Sequence, residues 1–128
     1  MINTPLQALI GHLAAFSSRD NQKFAECLSL PFIHLWQDGE IWQYGSRGDV
    51  DLAKQYARAE IDVESFGRTE LDEADLILDW AELKAFHVKF TRVMIGGDNA
   101  GRAEAIWVVI REGGCWKLKL RIGAARIR

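Results

Sequence analysis

The 128-residue sequence predicts an α+β fold in which helices pack on a mainly antiparallel sheet. Apolar residues at helical spacing lie in the first half of the chain, whereas strand-like segments fill the part after about Gly67. About half of the residues are hydrophobic (48%), which is enough to bury a core. The length is typical of one domain, and we therefore expect a single domain over residues 1–128.

Two helices are predicted at the amino terminus. Thr4 is a good N-cap, Pro5 suits the first helical position, and Gln7 completes a capping box. Four apolar residues then share one helical face: Leu6, Leu9, Ile10 and Leu13. Asp20 is predicted to cap a second, short helix, which Pro31 is expected to end because the residue before proline avoids helical geometry.

A β-hairpin is predicted next. Residues 32–36 and 41–44 are rich in strand formers, and Asp38-Gly39 between them is a strong signal for a tight turn with positive φ at both positions. A third helix is expected to start at Ser46 or Asp49.

Long strands are predicted after the third helix. The segments LILDWAELKAFHVKFTRVMI, GRAEAIWVVIRE and CWKLKLRIGA are separated by the turn-prone GGDNAG and EGG. Short connections favour antiparallel pairing, so we expect a sheet of about six strands against three helices. A strongly curved sheet around helices tends to leave a hollow that can hold a ligand.

Charge and cysteine content limit the partners. The net charge of −2 gives no reason to expect nucleic acid or an acidic membrane surface as a partner. Residues 60–82 are acidic and residues 111–128 are basic, which fits solvated surfaces, mutually neutralising strands or self-association. Cys27 and Cys115 are expected to be reduced thiols in a cytoplasmic protein. Neither a metal site, nor a cofactor, nor a membrane span is predicted.

The chain resembles a known superfamily. The order of elements, together with the segments FHVKFTR, AIWVVIREGGCWKL and LRIGAA, is similar to the NTF2-like superfamily, in particular its SnoaL-like and ketosteroid-isomerase-like branch. This resemblance covers nearly the whole chain. It implies a cone-shaped, cystatin-like α+β fold with a pocket, commonly in a homodimer.

The resemblance also implies where a site lies, and it argues against isomerase activity. The isomerases' catalytic aspartate falls near Trp36, their second acidic hydrogen-bond donor near Trp107, and their tyrosine near His12. An indole cannot do the work of a carboxylate in moving a proton beside a carbonyl. The same comparison places Arg92 at the mouth of the pocket, with three apolar residues of its strand inside: Phe86, Val88 and Phe90.

Arg92 is the principal candidate for a ligand contact. It follows Phe86, Val88 and Phe90 on the apolar side of a strand, where a guanidinium can clamp a carboxylate or phosphate. Alternatively it forms an internal ion pair, for which Asp79 is a conceivable partner, or extends to water.

The three histidines differ in their predicted surroundings. His34 shares strand parity with Trp36 and is either a general acid or base in the pocket, or a core histidine with hydrogen-bonded nitrogens. His12 lies beside the apolar stripe of its helix, so an exposed position is expected, although its match to the isomerase tyrosine keeps it a candidate. His87 is expected on the opposite strand face, exposed or at a dimer interface.

These observations predict two functions. The first is binding, with or without isomerase- or dehydratase-like conversion, of a small, mainly apolar molecule with one anionic or carbonyl group. Its walls would be Trp36, Tyr56, Phe86, Val88, Phe90 and Trp107, with Arg92, His34 and His12 as the polar groups. The alternative is a non-catalytic dimerisation or accessory module with a filled cavity. A binder needs Arg92 and a histidine open to a cavity, whereas an accessory module predicts Arg92 paired with a carboxylate.

Overall fold

The computed structural model describes residues 2–127 and has an α+β fold. Its elements in chain order are α1 (Pro5–Ser17), α2 (Asn21–Glu26), β1 (Leu28–Leu35), β2 (Ile41–Tyr44), a 3-10 turn (Arg47–Asp49), α3 (Leu52–Arg58), β3 (Phe66–Asp79), β4 (Leu83–Met94), β5 (Asn99–Glu112) and β6 (Cys115–Ile127). The predicted α+β class, the three helices and the six strands are thereby confirmed.

The six strands form one mixed sheet in the order β2-β1-β6-β5-β4-β3. Every neighbouring pair is antiparallel except β1 and β6, which run parallel. The last strand therefore lies in the middle of the sheet, and β2 and β3 form its edges.

Helix α1 begins as predicted but buries a different face. The Thr4 side chain accepts a hydrogen bond from the Gln7 amide (3.1 Å), and the Gln7 side chain accepts one from the Thr4 amide (2.9 Å). Leu6 and Ile10, which we expected to be buried, are 47% and 52% exposed. The buried stripe is instead Leu9, His12, Leu13 and Phe16, because the helix is rotated about its axis so that His12 faces the sheet.

Helix α2 is capped by Asp20 as predicted, but Pro31 does not end it. Asp20 Oδ1 accepts from the amides of Gln22 (3.0 Å) and Lys23 (3.2 Å). The helix ends at Glu26. The next residue, Cys27, accepts a hydrogen bond from the Leu118 amide (3.0 Å), and from there the chain pairs with β6. Pro31 lies within β1 and is preceded by a cis peptide bond.

The predicted hairpin is present as β1 and β2, with a different turn. Only Gly39 in its turn has positive φ (+93°), and its amide donates to the Trp36 carbonyl (2.9 Å). The turn is therefore longer than the two-residue type that we expected. Arg58 of α3 holds it with ion pairs to Asp38 (2.6 Å) and Glu40 (3.0 Å).

Helix α3 starts later than predicted. Ser46 directly precedes the 3-10 turn and Asp49 is its last residue, and Asp51 caps the helix by accepting from the Lys54 amide (3.0 Å). Asn21 of α2 ties the start of α3 in place, since it accepts from the Leu52 amide (2.7 Å) and donates to the Val50 carbonyl (2.8 Å).

Most of the acidic segment forms the edge strand β3. Because β3 and β6 are not neighbours, the basic strand does not neutralise it. Lys and Arg side chains of β4 and β5 form the ion pairs instead: Lys84–Asp79, Lys89–Glu73, Arg102–Asp72 and Arg111–Glu82. Asp79, the conceivable partner of Arg92, thus pairs with Lys84.

The core lies between the helices and the inner face of the sheet. It contains residues from all three helices and from every strand, among them Leu9, Phe24, Phe32, Tyr44, Tyr56, Phe66, Val88, Trp107 and Leu118. Among residues 2–127, no helix combines the length and the apolar character that crossing a bilayer would require.

Candidate functional site

A row of four inward-facing side chains crosses the middle of the sheet. His34 of β1 pairs with Arg121 of β6, Arg121 with Trp107 of β5, and Trp107 with Phe86 of β4. Directly opposed residues on neighbouring strands point to the same face, so this register gathers two polar groups inside the core. The row is the structural basis of the candidate site.

Arg121 is the most unusual residue of the row. Its side chain is only 4% exposed, and its Nε and Nη1 atoms have no hydrogen-bond partner among the described residues. Its guanidinium lies over the rings of Trp107 (5.4 Å) and Phe16 (5.7 Å). Burial and the neighbouring charge of Arg92 lower the pKa of Arg121 to about 9. The group still carries its charge at neutral pH, with no carboxylate beside it among the described residues.

Arg121 was not among the predicted site residues. A bulge in β6 reverses the alternation of its side chains, so a strictly alternating pattern places Arg121 on the wrong face.

His34 is fully buried beside Arg121. Its Nε2 donates to the Gly123 carbonyl (2.9 Å), which leaves Nδ1 as an acceptor without a partner. The ring stacks on Trp36 with centroids 3.8 Å apart. Burial and, next, the charge of Arg121 lower the pKa of His34 to about 3, so the imidazole is neutral at pH 7.

His12 approaches the row from helix α1, and the prediction that it is exposed was wrong. It is 1% exposed, and its ring meets that of Trp107 edge to face at 5.2 Å. Its Nδ1 has no hydrogen-bond partner. Burial, and then the charges of Arg121 and His34, hold the pKa of His12 well below 6.5.

Arg92 lies at one end of the site, against a cleft of about 200 Å³. Its guanidinium is 5.5 Å from the ring of Phe90, and its Nε is buried without a hydrogen-bond partner. Burial and the charge of Arg126 lower the pKa of Arg92. No carboxylate of residues 2–127 forms an ion pair with it.

We name this cleft the arginine cleft, because four of its lining residues are arginines: Arg58, Arg92, Arg102 and Arg126. Trp36, Gln37, Ala59, Glu60, Ala100, Gly101 and Ala124 complete the lining. Glu60 is its one acidic lining residue, and it forms no ion pair with the arginines in the described part of the chain. Trp36 lines the cleft and stacks on His34, and the Arg58 guanidinium lies over the Trp36 ring (4.5 Å).

The structure separates the predicted pocket walls from the cleft. Trp36 and Arg92 line it, whereas Phe86, Val88, Phe90, Trp107 and Tyr56 belong to the packed core. The Tyr56 hydroxyl donates to the Phe16 carbonyl and so turns away from the cleft. His87 lies on the outer face, where its Nε2 is 3.1 Å from Glu104.

Each of the two predicted functions, ligand binding and a filled accessory module, agrees with only part of what the structure shows at Arg92 and the histidines. Arg92 is open to a cavity and lacks a carboxylate, as a binder requires, but neither His12 nor His34 lines that cavity. The roles of these residues toward a ligand stay predictions. Chemically, the site offers two neighbouring guanidiniums, one at the cleft and one beneath it, and two neutral imidazoles.

The likeness to known proteins lies in the fold. No protein-family model matches the sequence, and no curated protein matches it. A putative calcium/calmodulin-dependent protein kinase type II association domain from Thiobacillus denitrificans superposes with a TM-score of 0.73 at 15% identity, over 100% of this chain and 98% of that one. A protein of unknown function with a cystatin-like fold from Nostoc punctiforme gives a TM-score of 0.71 at 15% identity, over 99% and 96% of the chains.

A ketosteroid isomerase-like protein from Erwinia carotovora is also similar, with a TM-score of 0.63 at 14% identity over 97% of this chain and 94% of that one. At such identities these likenesses show the fold alone. The fold is cystatin-like, as the sequence predicts.

Proposed function

We propose that this chain binds a small anionic molecule in the arginine cleft, with Arg92 as its direct contact. The observation that carries the proposal is the pair Arg92 and Arg121, two largely buried guanidiniums near each other with no carboxylate beside either in residues 2–127. A buried charge is costly unless it is paired. An anion at Arg92 would supply the missing charge and offset the repulsion between the two arginines.

The cleft favours a ligand that is smaller and more polar than the sequence indicated. Its volume of about 200 Å³ is below that of most drug-sized ligand sites, which measure about 300–1,000 Å³. Its lining is mostly charged or polar, and the predicted aromatic walls are packed in the core. We therefore propose a compact anion, with Trp36 as the apolar contact, in place of a mainly apolar molecule.

The two buried histidines support binding more than catalysis. A general base works best when its pKa lies near the operating pH, whereas His34 titrates at about 3 and His12 also titrates well below 6.5. In the unliganded protein both imidazoles are neutral and weakly basic. Their proposed role is to surround Arg121 with groups that remain uncharged at neutral pH.

Arg92→Gln tests the proposed contact. In the wild-type protein, millimolar acetate, butyrate, succinate or phosphate is expected to raise the melting temperature by a few degrees above sodium chloride of equal ionic strength, because a ligand that binds the native state stabilises it. In Arg92→Gln this shift should be lost, since a charge-assisted pair contributes about 1.5–3 kcal/mol. Differential scanning fluorimetry measures both.

Arg68→Gln is the matched control, because Arg68 is an exposed arginine that pairs with Glu70 outside the arginine cleft. It should keep the anion-induced shift. If none of these anions stabilises the wild-type protein, or if both variants respond as it does, the proposed function is wrong.

A second function, homodimerisation, is favoured by the outer face of the sheet. Six partly exposed apolar side chains lie together on neighbouring strands of that face: Ile33, Leu35, Ile106, Val108, Leu120 and Ile122. An apolar patch in the centre of a sheet face is typical of a protein interface. Three of the similar structures carry association-domain names, which supports the proposal of self-association.

Leu120→Lys tests the dimer, because Leu120 is flanked by Ile33 and Val108 at the centre of this patch. Light scattering after size exclusion should give twice the 14.5 kDa chain mass for the wild-type protein and about the chain mass for the variant. Ile95→Lys, at an exposed turn, should leave the mass unchanged. A monomeric wild-type protein, or a Leu120→Lys variant that remains dimeric, would exclude this interface.

A further inference from the structure

Gly101 brings two arginines together at the mouth of the arginine cleft. Gly101 of β5 lies directly opposite Arg92 of β4. The Arg126 side chain, from β6, lies over Gly101, so that a Cβ added there would be 3.3 Å from Arg126 Nη2 and 3.5 Å from its Nε. The absence of a side chain on β5 therefore lets the Arg126 guanidinium reach across that strand toward Arg92.

These two arginines differ from the other two that line the cleft. Arg58 is held by Asp38 and Glu40, and Arg102 is paired with Asp72. Arg92 and Arg126 have no such carboxylate among residues 2–127. Burial and, next, the charge of Arg126 lower the pKa of Arg92, as expected for two guanidiniums on either side of Gly101.

We propose that the ligand of the arginine cleft is a dianion, and that Arg92 and Arg126 together select it over monoanions. This inference rests on the proposed function and names its ligand class. A single carboxylate can pair with one guanidinium through two hydrogen bonds, which leaves the second guanidinium without a counter-charge. A molecule with a second negative charge close to the first satisfies both.

The size of the cleft restricts the dianion further. A volume of about 200 Å³ suits a dicarboxylate of four or five carbons or inorganic phosphate, and both present two charges a short distance apart. Arg92 lies over Phe90 (5.5 Å), the Phe90 ring packs on that of Trp107 (5.5 Å), and Arg121 lies over Trp107 (5.4 Å). Arg121 thus adds a third positive charge near the cleft, which strengthens the preference for a doubly charged ligand.

Isothermal titration calorimetry at constant ionic strength and pH 7.5 tests the proposal on the full chain. The dianions are succinate, glutarate and inorganic phosphate, and the monoanions are acetate and butyrate. We expect the wild-type protein to bind at least one dianion about tenfold or more tightly than either monoanion. Arg126→Gln should weaken the binding of that dianion much more than the binding of either monoanion, so that most of the tenfold preference is lost.

Arg102→Gln is the matched control, since it removes the same charge from the same cleft but from an arginine that already has a carboxylate partner. It should keep the preference for the dianion. The proposal is overturned if acetate or butyrate binds as tightly as every dianion, or if Arg126→Gln and Arg102→Gln weaken all the anions equally. If no anion binds, the proposed function itself fails, and that outcome is distinguishable from a loss of selectivity alone.

Discussion

Replacing Arg121 by methionine is expected to raise the free energy of unfolding of the unliganded protein by about 1–4 kcal/mol. Arg121 is buried among aromatic rings, and two of its nitrogens have no hydrogen-bond partner. Methionine is similarly long and unbranched, and its sulfur packs well against rings such as Phe16 and Trp107. The substitution therefore removes an uncompensated charge and leaves little empty volume.

The same variant should bind anions more weakly, because Arg121 supplies positive charge behind Arg92. A residue that stabilises a bound ligand at a cost to the unliganded fold is a mark of a functional site. Urea denaturation measures the stability through a higher midpoint at an unchanged m-value, and calorimetry with succinate measures the affinity.

Arg121→Lys is the matched control, because it keeps a buried charge and should not gain stability. Above about pH 9 the folded wild-type protein loses the proton of Arg121, whereas the unfolded chain still holds it. The stability of the wild-type protein then rises with pH, so the advantage of Arg121→Met should shrink. A methionine variant that is less stable than the wild type at pH 7 would show that Arg121 is satisfied in the native state.

The local signals in the sequence were sufficient for most of the fold. The capping box at Thr4 and the cap at Asp20 involve residues near in sequence, and so their physics does not depend on the rest of the chain. Alternation also placed Phe86, Val88 and Phe90 on the inner face of β4. The prediction that Pro31 ends helix α2 was wrong, because the long-range pairing of β1 with β6 ends the helix before that residue.

Arg121 shows why the site itself was predicted only in part. Val109 pairs with Leu118, but the preceding residue of β5, Val108, pairs with Leu120, so Lys119 is an extra residue in β6. From Leu118 onward, strict alternation would turn Arg121 outward, whereas the bulge turns it into the core. The sequence WKLKLR carries no local signal for that insertion.

His12 was misplaced for a related reason. Helical periodicity allows two overlapping apolar stripes in α1, and the orientation of the helix depends on how it packs against β3 and β6. The helix buries the stripe that contains Leu9, Leu13 and Phe16. As a result His12 contacts Trp107, and Leu6 and Ile10 are exposed. Tertiary packing, which a single helix does not encode, makes that choice.

Lowering the pH from 6.5 to 5 is expected to destabilise the protein steeply through its two buried histidines. The folded-state pKa of His34 is about 3 and that of His12 is well below 6.5, whereas in the unfolded chain both should titrate near 6.5. Between these values the unfolded state binds more protons, so the free energy of unfolding falls as the pH falls. Each histidine contributes a slope that approaches about 1.4 kcal/mol per pH unit at the lower end of this range.

The groups around the histidines explain why the folded protein resists protonation. For His34, burial is the largest cause and the charge of Arg121 the next, and Arg58 adds a smaller contribution. Together they outweigh the opposing effects of the Gly123 carbonyl and the nearby Gln55 side chain. His12 faces Arg121 and His34, between the rings of Phe24 and Trp107. The lowered carboxyl pKa values of Asp38 and Glu82 act in the same direction, but at lower pH, so measurements above pH 5 isolate the histidines.

Urea denaturation at several pH values, with His34→Gln and His12→Leu as variants, measures these slopes. Glutamine can still donate to the Gly123 carbonyl, and leucine suits the apolar surroundings of His12, so each variant should fold and lose about half of the slope between pH 6.5 and 5. His87→Gln, on the outer face, is the matched control and should keep the wild-type slope. If both inner variants retained the full slope, the two imidazoles would titrate in the folded protein as they do in the unfolded chain, and the proposal that they stay neutral beside Arg121 would be wrong.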